Sequence, residues 1–314
     1  MINIHELFVF VTAAEELNFS RAAQRLHLSQ SAVSQNIQSI ERTYRVELFV
    51  RHGRSVQLSE EGKTLLPLAR NVLVASRLLE DALVNANGDV AGELNIGCAI
   101  TSGRYFIPNI LASFQREYPH VRTVLNLMPR TGVVQGLLEH TLNLGVIGRH
   151  EDHRDLEAQL MLEDKLILIV PSDHDWANVG EVDPADVLHQ PFISREVNSG
   201  TFELLYDHMH RLGISPDDLN VVMQLGDAEA VQMAVEKGIG ITFISEMMAA
   251  RSLALGRVKK VSVKGFTLTQ PVYLVRHVSS MFSQAEAKLW EYICAHHEQL
   301  TAELLYNLAD VSLA

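Results

Sequence analysis

The stretch from Ser59 to about Asn87 constrains this chain more than any other part of it. Leu65, Leu68, Val72, Ala75, Leu79, Ala82 and Ala86 recur three and four residues apart, which is the seam of a coiled coil. At ~1.5 Å per residue, a helix of that length is a rod of about 40 Å. A rod so long outreaches a small domain beside it, so its stripe is expected to be buried against a partner helix, making the chain at least a dimer. Pro67 falls in the first turns, where it is expected to bend the helix or loosen its start. Asn85-Ala86-Asn87-Gly88-Asp89 supplies the stop. The rod separates residues 1–58 from a much longer C-terminal part, and 314 residues fit two domains and a connector at ~100–200 residues per domain.

The first 58 residues read as three helices and a hairpin. Leu7, Phe10, Val11, Ala14 and Leu17 share one apolar face. Asn18-Phe19-Ser20 breaks that pattern, and Ser20 is placed to cap a short helix ending at Leu26. Ser29 caps a third helix reaching about Tyr44, with Val33, Ile37 and Ile40 turned inward. The opposite face carries Ser31, Gln35, Gln38 and Arg42, with Gln30 and Ser34 beside them. Gln pairs bidentately with adenine and Ser bonds to several base edges, so this face suits a major groove; alone, it also suits a solvated surface. Leu48 to Leu58 forms two extended runs about a glycine turn with Arg51 and Arg54 at its tip, a wing to set against phosphates or the minor groove. The net charge of −12 argues against a uniformly basic nucleic-acid binder. Between Asn18 and Arg54, however, Arg21, Arg25, Arg42, Arg45, Arg51 and Arg54 face only Glu41 and Glu47, so the cationic charge is local.

These residues resemble the LysR-type transcriptional regulators. The likeness rests on Phe10-Val11, Leu17 to Ala23, Leu26, Leu28 to Ser34, Ile37, Ile40-Glu41, Leu48 to Arg51 and Leu58 to Gly62, in order and spacing. The departures are Tyr44-Arg45, where the family often has a glycine, and Ser59 for a usual threonine. The resemblance implies an N-terminal winged helix-turn-helix that binds double-stranded DNA, with Ser20 and Arg21 added to the expected contacts. It also implies a linker helix over 59–88 that dimerises, assembly to a homotetramer, and RNA polymerase as a further partner.

Beyond the rod the chain alternates strand and helix. Strands are expected at Leu94–Ala99, Thr123–Leu127, Leu142–Ile147, Leu166–Val170, Phe192–Ser194, Val221–Leu225, Ile239–Ile244 and Pro271–Arg276. Helices fall near Arg104–Tyr118, Val133–His140, Thr201–Leu212 and Ala228–Lys237, an order that predicts a parallel sheet with helices on both faces. Tyr118-Pro119, Leu142 to Gly148, Ser199-Gly200-Thr201 and Lys237 to Ile241 resemble the family's effector domain, although its usual acidic residue near Asn143 is missing. The likeness implies a two-lobed α/β fold of the periplasmic-binding-protein kind over 92–300. Lobe I would be about 92–163 with 269–300, lobe II about 164–268, and 301–314 a tail.

A small-molecule effector is expected between the lobes, outside the carboxyl ends of strands, where helix N-termini offer amides to anions. Ile100, Thr101 and Ser102 occupy that place in one lobe and Asn198, Ser199 and Thr201 in the other. Serine and threonine serve equally as plain helix caps there. Arg149, Arg195 and Arg104 are placed to neutralise an anionic effector, or to act as surface arginines.

An enzyme finds little support: a phosphate loop with its Lys, a Gly-x-Ser-x-Gly elbow and a His-Glu-x-x-His motif are all missing. His150 with His153, and His208 with His210, lack a third ligand, so no metal site and no cofactor is expected. Cys98 and Cys294 stand far apart and are expected as free thiols. A secreted solute-binding protein would need an export signal, and neither that nor a membrane-length apolar run is found, so a soluble cytoplasmic protein is expected.

Overall fold

A computed structural model describes residues 2–52, 55–84, 90–196, 199–278 and 282–296. At the N-terminus α1 (Ile4–Glu16), α2 (Phe19–Leu26) and α3 (Gln30–Tyr44) precede the hairpin of β1 (Phe49–His52) and β2 (Ser55–Leu58). Phe10, Val33, Ile37 and Leu48 are buried in its core. The rings of Phe10 and Phe19 meet Phe49 edge-on at 5.8 and 5.2 Å, which anchors the hairpin to the helices.

The residue capping α2 is Asn18 rather than Ser20. Its Oδ1 accepts from the amides of Ser20 and Arg21 at 2.9 and 3.1 Å. Asn is as good a cap as Ser, and Phe19 enters the core as the first helical residue, so the helix begins before Ser20. Ser29 does cap α3, accepting from the Ala32 amide at 3.1 Å. All three helices close on a left-handed residue that is not glycine: Leu17, His27 and Arg45, with φ of 44°, 54° and 55°. The position at which the family often has glycine therefore holds Arg45 in a conformation that costs an L-residue about 1 kcal/mol or more.

α4 (Glu60–Val84) runs unbroken through Pro67. Ser59 caps it, accepting from the Gly62 amide at 2.8 Å while its hydroxyl donates to the Glu47 carbonyl. Gly62 is required there, because a Cβ would stand 2.2 Å from the Leu48 carbonyl oxygen. Leu65, Leu66, Ala69 and Leu73 pack onto the N-terminal core. Leu65 thus belongs to the inward face and not to the outward stripe, since the helix starts on the small domain before it projects. Leu68, Val72, Leu79 and Leu83 are 57, 43, 62 and 68% exposed. Ala86 lies outside the described residues.

The C-terminal part opens with β3 (Gly92–Cys98), α5 (Ile100–Tyr105), α6 (Ile107–Glu117), β4 (Val121–Leu127), α7 (Arg130–Leu138) and β5 (Leu144–Ile147). The single helix expected near Arg104–Tyr118 is two helices broken at Phe106, with Pro108 in the first turn of the second, where its missing amide costs nothing. Next come β6 (Leu156–Pro171), β7 (Glu181–Val182), α8 (Pro184–His189), β8 (Phe192–Arg195), α9 (Gly200–Arg211), β9 (Val221–Leu225) and α10 (Ala228–Glu236). The described residues end with β10 (Thr242–Ser245), α11 (Glu246–Ala254), β11 (Val258–Val263), β12 (Leu268–His277) and α12 over 284–296.

The main sheet has the order β4-β3-β5-β12-β6-β11-β7, with β10 also on β6. β3, β4 and β5 are parallel, but β12 runs antiparallel to β5 and β6, and β6 antiparallel to β10 and β11. The sheet is therefore mixed and not parallel throughout. β6 and β12 pass directly between the two halves without a crossover helix, which antiparallel neighbours permit. Leu166, Leu168 and Val170 face one lobe II core with Phe192 and Phe243, while Ile167 and Ile169 face another with Ile193 and Ile244. In lobe I, Ile96, Val146 and Leu274 pack with Phe114 and with Leu289 of α12. Asn143 accepts from the Asn95 amide at 2.8 Å and donates to Glu286 at 3.1 Å, so α12 supplies the acid that its position lacks. Burial pushes the Glu286 carboxyl up to about 7.

Replacing Arg45 by glycine is expected to stabilise the N-terminal domain by roughly 0.5–1 kcal/mol, the relief of a left-handed residue less the entropy of glycine. Urea denaturation of wild type and R45G measures this, and a lower midpoint for R45G contradicts it.

Candidate DNA interface and ligand cleft

On α3, Gln30, Ser31, Gln35, Gln38 and Arg42 are exposed and Ser34 is half-buried. The carboxamides of Gln35 and Gln38 make no hydrogen bond among the described residues, which leaves their donors and acceptors unspent. Gln30 reaches Ser34 at 3.4 Å, Ser31 and Ser29 share a hydrogen bond at 2.9 Å, and the Arg42 Nε donates to the Gln38 carbonyl at 3.1 Å. Ser20 and Arg21 are exposed at the start of α2, and Arg21 pairs with Glu16 at 3.3 Å. Arg51 lies in β1, but its side chain and Arg54 as a whole fall outside the described residues. α3 thus offers a polar edge held rigid by the core beneath Val33, Ile37 and Ile40.

The candidate ligand cleft opens among α5, α9, α10 and the ends of β8 and β10. Thr101 comes to it from lobe I, and Arg195, Thr201 and Ser245 from lobe II, over an apolar wall of Val231, Phe243 and Met248. The space is small, about 240 Å³ counting its open mouth. α5 begins on Ala99 without a side-chain cap, so Thr101 is not spent as one. Ser199 is a cap, accepting from the Phe202 amide at 3.1 Å, and is buried. Ile100 is partly exposed and Ser102 is buried beside Thr101, but neither lines the cleft, and Asn198 lies outside the described residues.

The three arginines are all engaged. Arg104 pairs with Glu229 at 2.9 Å and Asp227 at 3.5 Å, and Arg149 with Glu203 at 3.5 Å, each bond crossing from lobe I to lobe II. The Tyr105 hydroxyl donates to Glu229 at 2.8 Å beside them, and burial pushes its phenol well above the usual range. Arg195 holds Glu196. Sequence reasoning missed Ser245, which follows the last apolar residue of β10 and caps α11 by accepting from the Met248 amide at 3.3 Å. A serine closing a strand just before a helical run was the available signal. It also missed Asp164, a buried carboxyl in the middle of β6 whose Oδ1 has no partner among the described residues. Burial pushes Asp164 up to about 6, against the Ser245 hydroxyl and the Met247 amide, which favour the charged form.

A rigid helix-turn-helix joined by a projecting helix to a two-lobed pocket defines a class of protein: one that reads DNA and answers to a small molecule. Comparison with known proteins identifies the family. The model of bacterial regulatory helix-turn-helix proteins of the lysR family matches residues 4–63, and that of the LysR substrate binding domain matches 87–297. The chain belongs to the LysR family; it is a DNA-binding transcriptional regulator and not an enzyme. An uncharacterized HTH-type transcriptional regulator of Methanocaldococcus jannaschii is 30% identical, over 90% of this chain and 96% of its own. A full-length OxyR variant from Pseudomonas aeruginosa shares the fold with a TM-score of 0.72 at 19% identity, over 95% of each chain. The regulatory domain of CcmR from Synechocystis PCC6803, solved in complex with 2-PG, matches with a TM-score of 0.59 at 23% identity, over 65% of this chain and 96% of that one. No helix among the described residues is long and apolar enough to cross a membrane.

The raised Asp164 carboxyl binds its proton more tightly in the folded chain than in the unfolded one. Stability from this group is therefore full at low pH and falls as pH rises from about 4 to about 6. The thermal midpoint of D164N relative to wild type is expected to climb across that window and level off above it. Parallel pH profiles for the two proteins would mean that Asp164 titrates normally.

Proposed function

We propose that the chain is a cytoplasmic regulator that binds a partly palindromic DNA site as a dimer joined through α4, and that a small anionic effector held between its lobes alters that binding. The observation that carries the effector half is the convergence of Thr101, Arg195, Thr201 and Ser245 on one cleft reached from both lobes. The 2-PG (2-phosphoglycolate) held by the CcmR domain is a small anion, the chemical class that Arg195 and these hydroxyls suit. Thr101 and Thr201 supply hydroxyl donors and Arg195 the charge. Lobe I takes about 92–163 and 269–300, and lobe II about 164–268.

For the DNA half, α3 enters the major groove with Gln30, Ser31, Ser34, Gln35 and Gln38 toward base edges. Ser20, Arg21, Arg42, Arg51 and Arg54 take the backbone or the minor groove. The exposed stripe of Leu68, Val72 and Leu79 is the dimer seam, and two dimers form a tetramer. The effector acts only insofar as it binds one arrangement of that tetramer more tightly than another, and a repositioned tetramer presents a different face to RNA polymerase.

The test is selection of bound fragments from the source genome by the purified protein, then footprinting at fixed salt with and without 2-phosphoglycolate. Two protected half-sites about one duplex turn apart support the reading, and binding no stronger than to random DNA at any salt removes it. Within that assay, Gln35→Ala is expected to lose discrimination between sites by about 1–3 kcal/mol, and Arg42→Ala to weaken every duplex alike. Equal effects of both variants on specific and random duplexes contradict the groove assignment. Leu79→Glu places a charge in the seam and is expected to give monomers in sedimentation with the fold intact; an unchanged mass means the chains meet elsewhere.

A further inference from the structure

We propose that Glu196 is a displaceable counter-ion, occupying Arg195 while the cleft is empty and leaving it when an anionic ligand enters, so that Glu196 sets which anions the protein answers to. The inference rests on the reading of the cleft as an anion site and names the residue that sets how strongly an anion must bind to occupy it.

Arg195 ends β8 at the cleft wall, and only 12% of its side chain is exposed. Its Nε and Nη2 donate to the two carboxylate oxygens of Glu196 at 2.9 and 2.8 Å. This is the two-point grip that a guanidinium makes on a ligand carboxylate or phosphate. A guanidinium so far removed from water is costly to leave unpaired, and Glu196 supplies the charge. Glu196 itself is 40% exposed, so it returns to solvent at small cost. An entering anion can therefore take its place on Arg195 with the local charge conserved: one carboxylate leaves as one anion arrives.

The other arginines do not allow this exchange. Arg104 is held by Asp227 and Glu229, and Arg149 by Glu203, all from the opposite lobe, so freeing either one loosens lobe from lobe. Arg195 and Glu196 are neighbours in the same lobe, and parting them breaks no bridge. The cost of releasing Glu196 is the same for every anion, so the exchange sets a threshold: a weak, singly charged carboxylate gains on Arg195 only what Glu196 loses, whereas a phosphate, with more charge and a third acceptor oxygen, gains a surplus.

The full-length protein is titrated calorimetrically with 2-phosphoglycolate, inorganic phosphate and acetate, as wild type, Glu196→Gln and Glu196→Ser. Both variants are expected to bind 2-phosphoglycolate about tenfold more tightly than wild type, with the affinity for acetate and inorganic phosphate rising by a similar factor. Arg195→Ala is expected to abolish the gain when combined with Glu196→Gln. If wild type binds 2-phosphoglycolate and neither variant binds it more tightly, the counter-ion role is wrong while the anion cleft stands. If none of the proteins binds any of the three anions, the cleft is not an anion site and this inference falls with it. Using two variants of different size separates loss of the charge from a local packing defect.

Discussion

The antiparallel pairing of β6 with β12 runs from Leu156 opposite His277 to Leu166 opposite Leu268, and the organisation of the C-terminal domain depends on it. Beyond Leu166 the same strand β6 goes on to pair with β10 and β11. One ladder thus builds the sheet on one side of the cleft and seeds the sheet on the other. Side chains along it alternate between cores, so a slip of one residue would turn Leu166, Leu168 and Val170 out of theirs. At the crossing, Asp164 stands opposite Gln270. A Cβ on either Gly148 or Gly200 would lie 2.5 Å from the Gln270 Nε2, so that carboxamide fills the seam between the loop after β5 and the start of α9. Gln270 is thus packed against backbone from both lobes.

Charge at the mouth of the cleft is sorted by lobe. Arg104 and Arg149 belong to lobe I, while Asp227, Glu229 and Glu203 belong to lobe II, so the lobes attract one another with nothing between them. These pairs are partly exposed, and each contributes little alone in water. They add up, however, because all of them join lobe I to lobe II. An anion entering such a mouth meets arginines that are already neutralised. Its affinity must come from exchange of partners and from hydroxyl and amide donors, more than from free positive charge.

The N-terminal domain was legible almost to the residue because its helices are amphipathic and capped by residues whose chemistry is local. The one misplaced cap, Ser20 for Asn18, arose where two competent caps stand two apart and only the burial of Phe19 decides between them. The expected contacts Thr101, Arg195 and Thr201 do meet at one cleft, since each follows or closes a strand. Ser245 and Asp164 were illegible for a different reason: their importance depends on which strands neighbour β6, and strand order is a long-range property. The same holds for the mixed sheet. Alternation of strand and helix cannot reveal that β6 and β12 are long strands passing between lobes, because half of β6, from Leu156 to Lys165, has charged residues interrupting its apolar ones. The ion pairs of the arginines are equally non-local, joining positions such as 104 and 229.

A link between the two functional halves is visible at Arg70. Its guanidinium reaches Glu139 in lobe I at 3.0 Å and Glu15 on α1 at 3.8 Å, and 11% of its side chain is exposed. The Nε is buried with no partner among the described residues. One cation on the linker helix is thus shared between a carboxylate of the DNA-binding domain and one of the effector domain. Because a buried charge is costly without its partner, moving either domain away from α4 shifts the load onto the other contact. Arg70 therefore ties lobe I to α1, the helix against which α2 and α3 are packed, through a contact one side chain long.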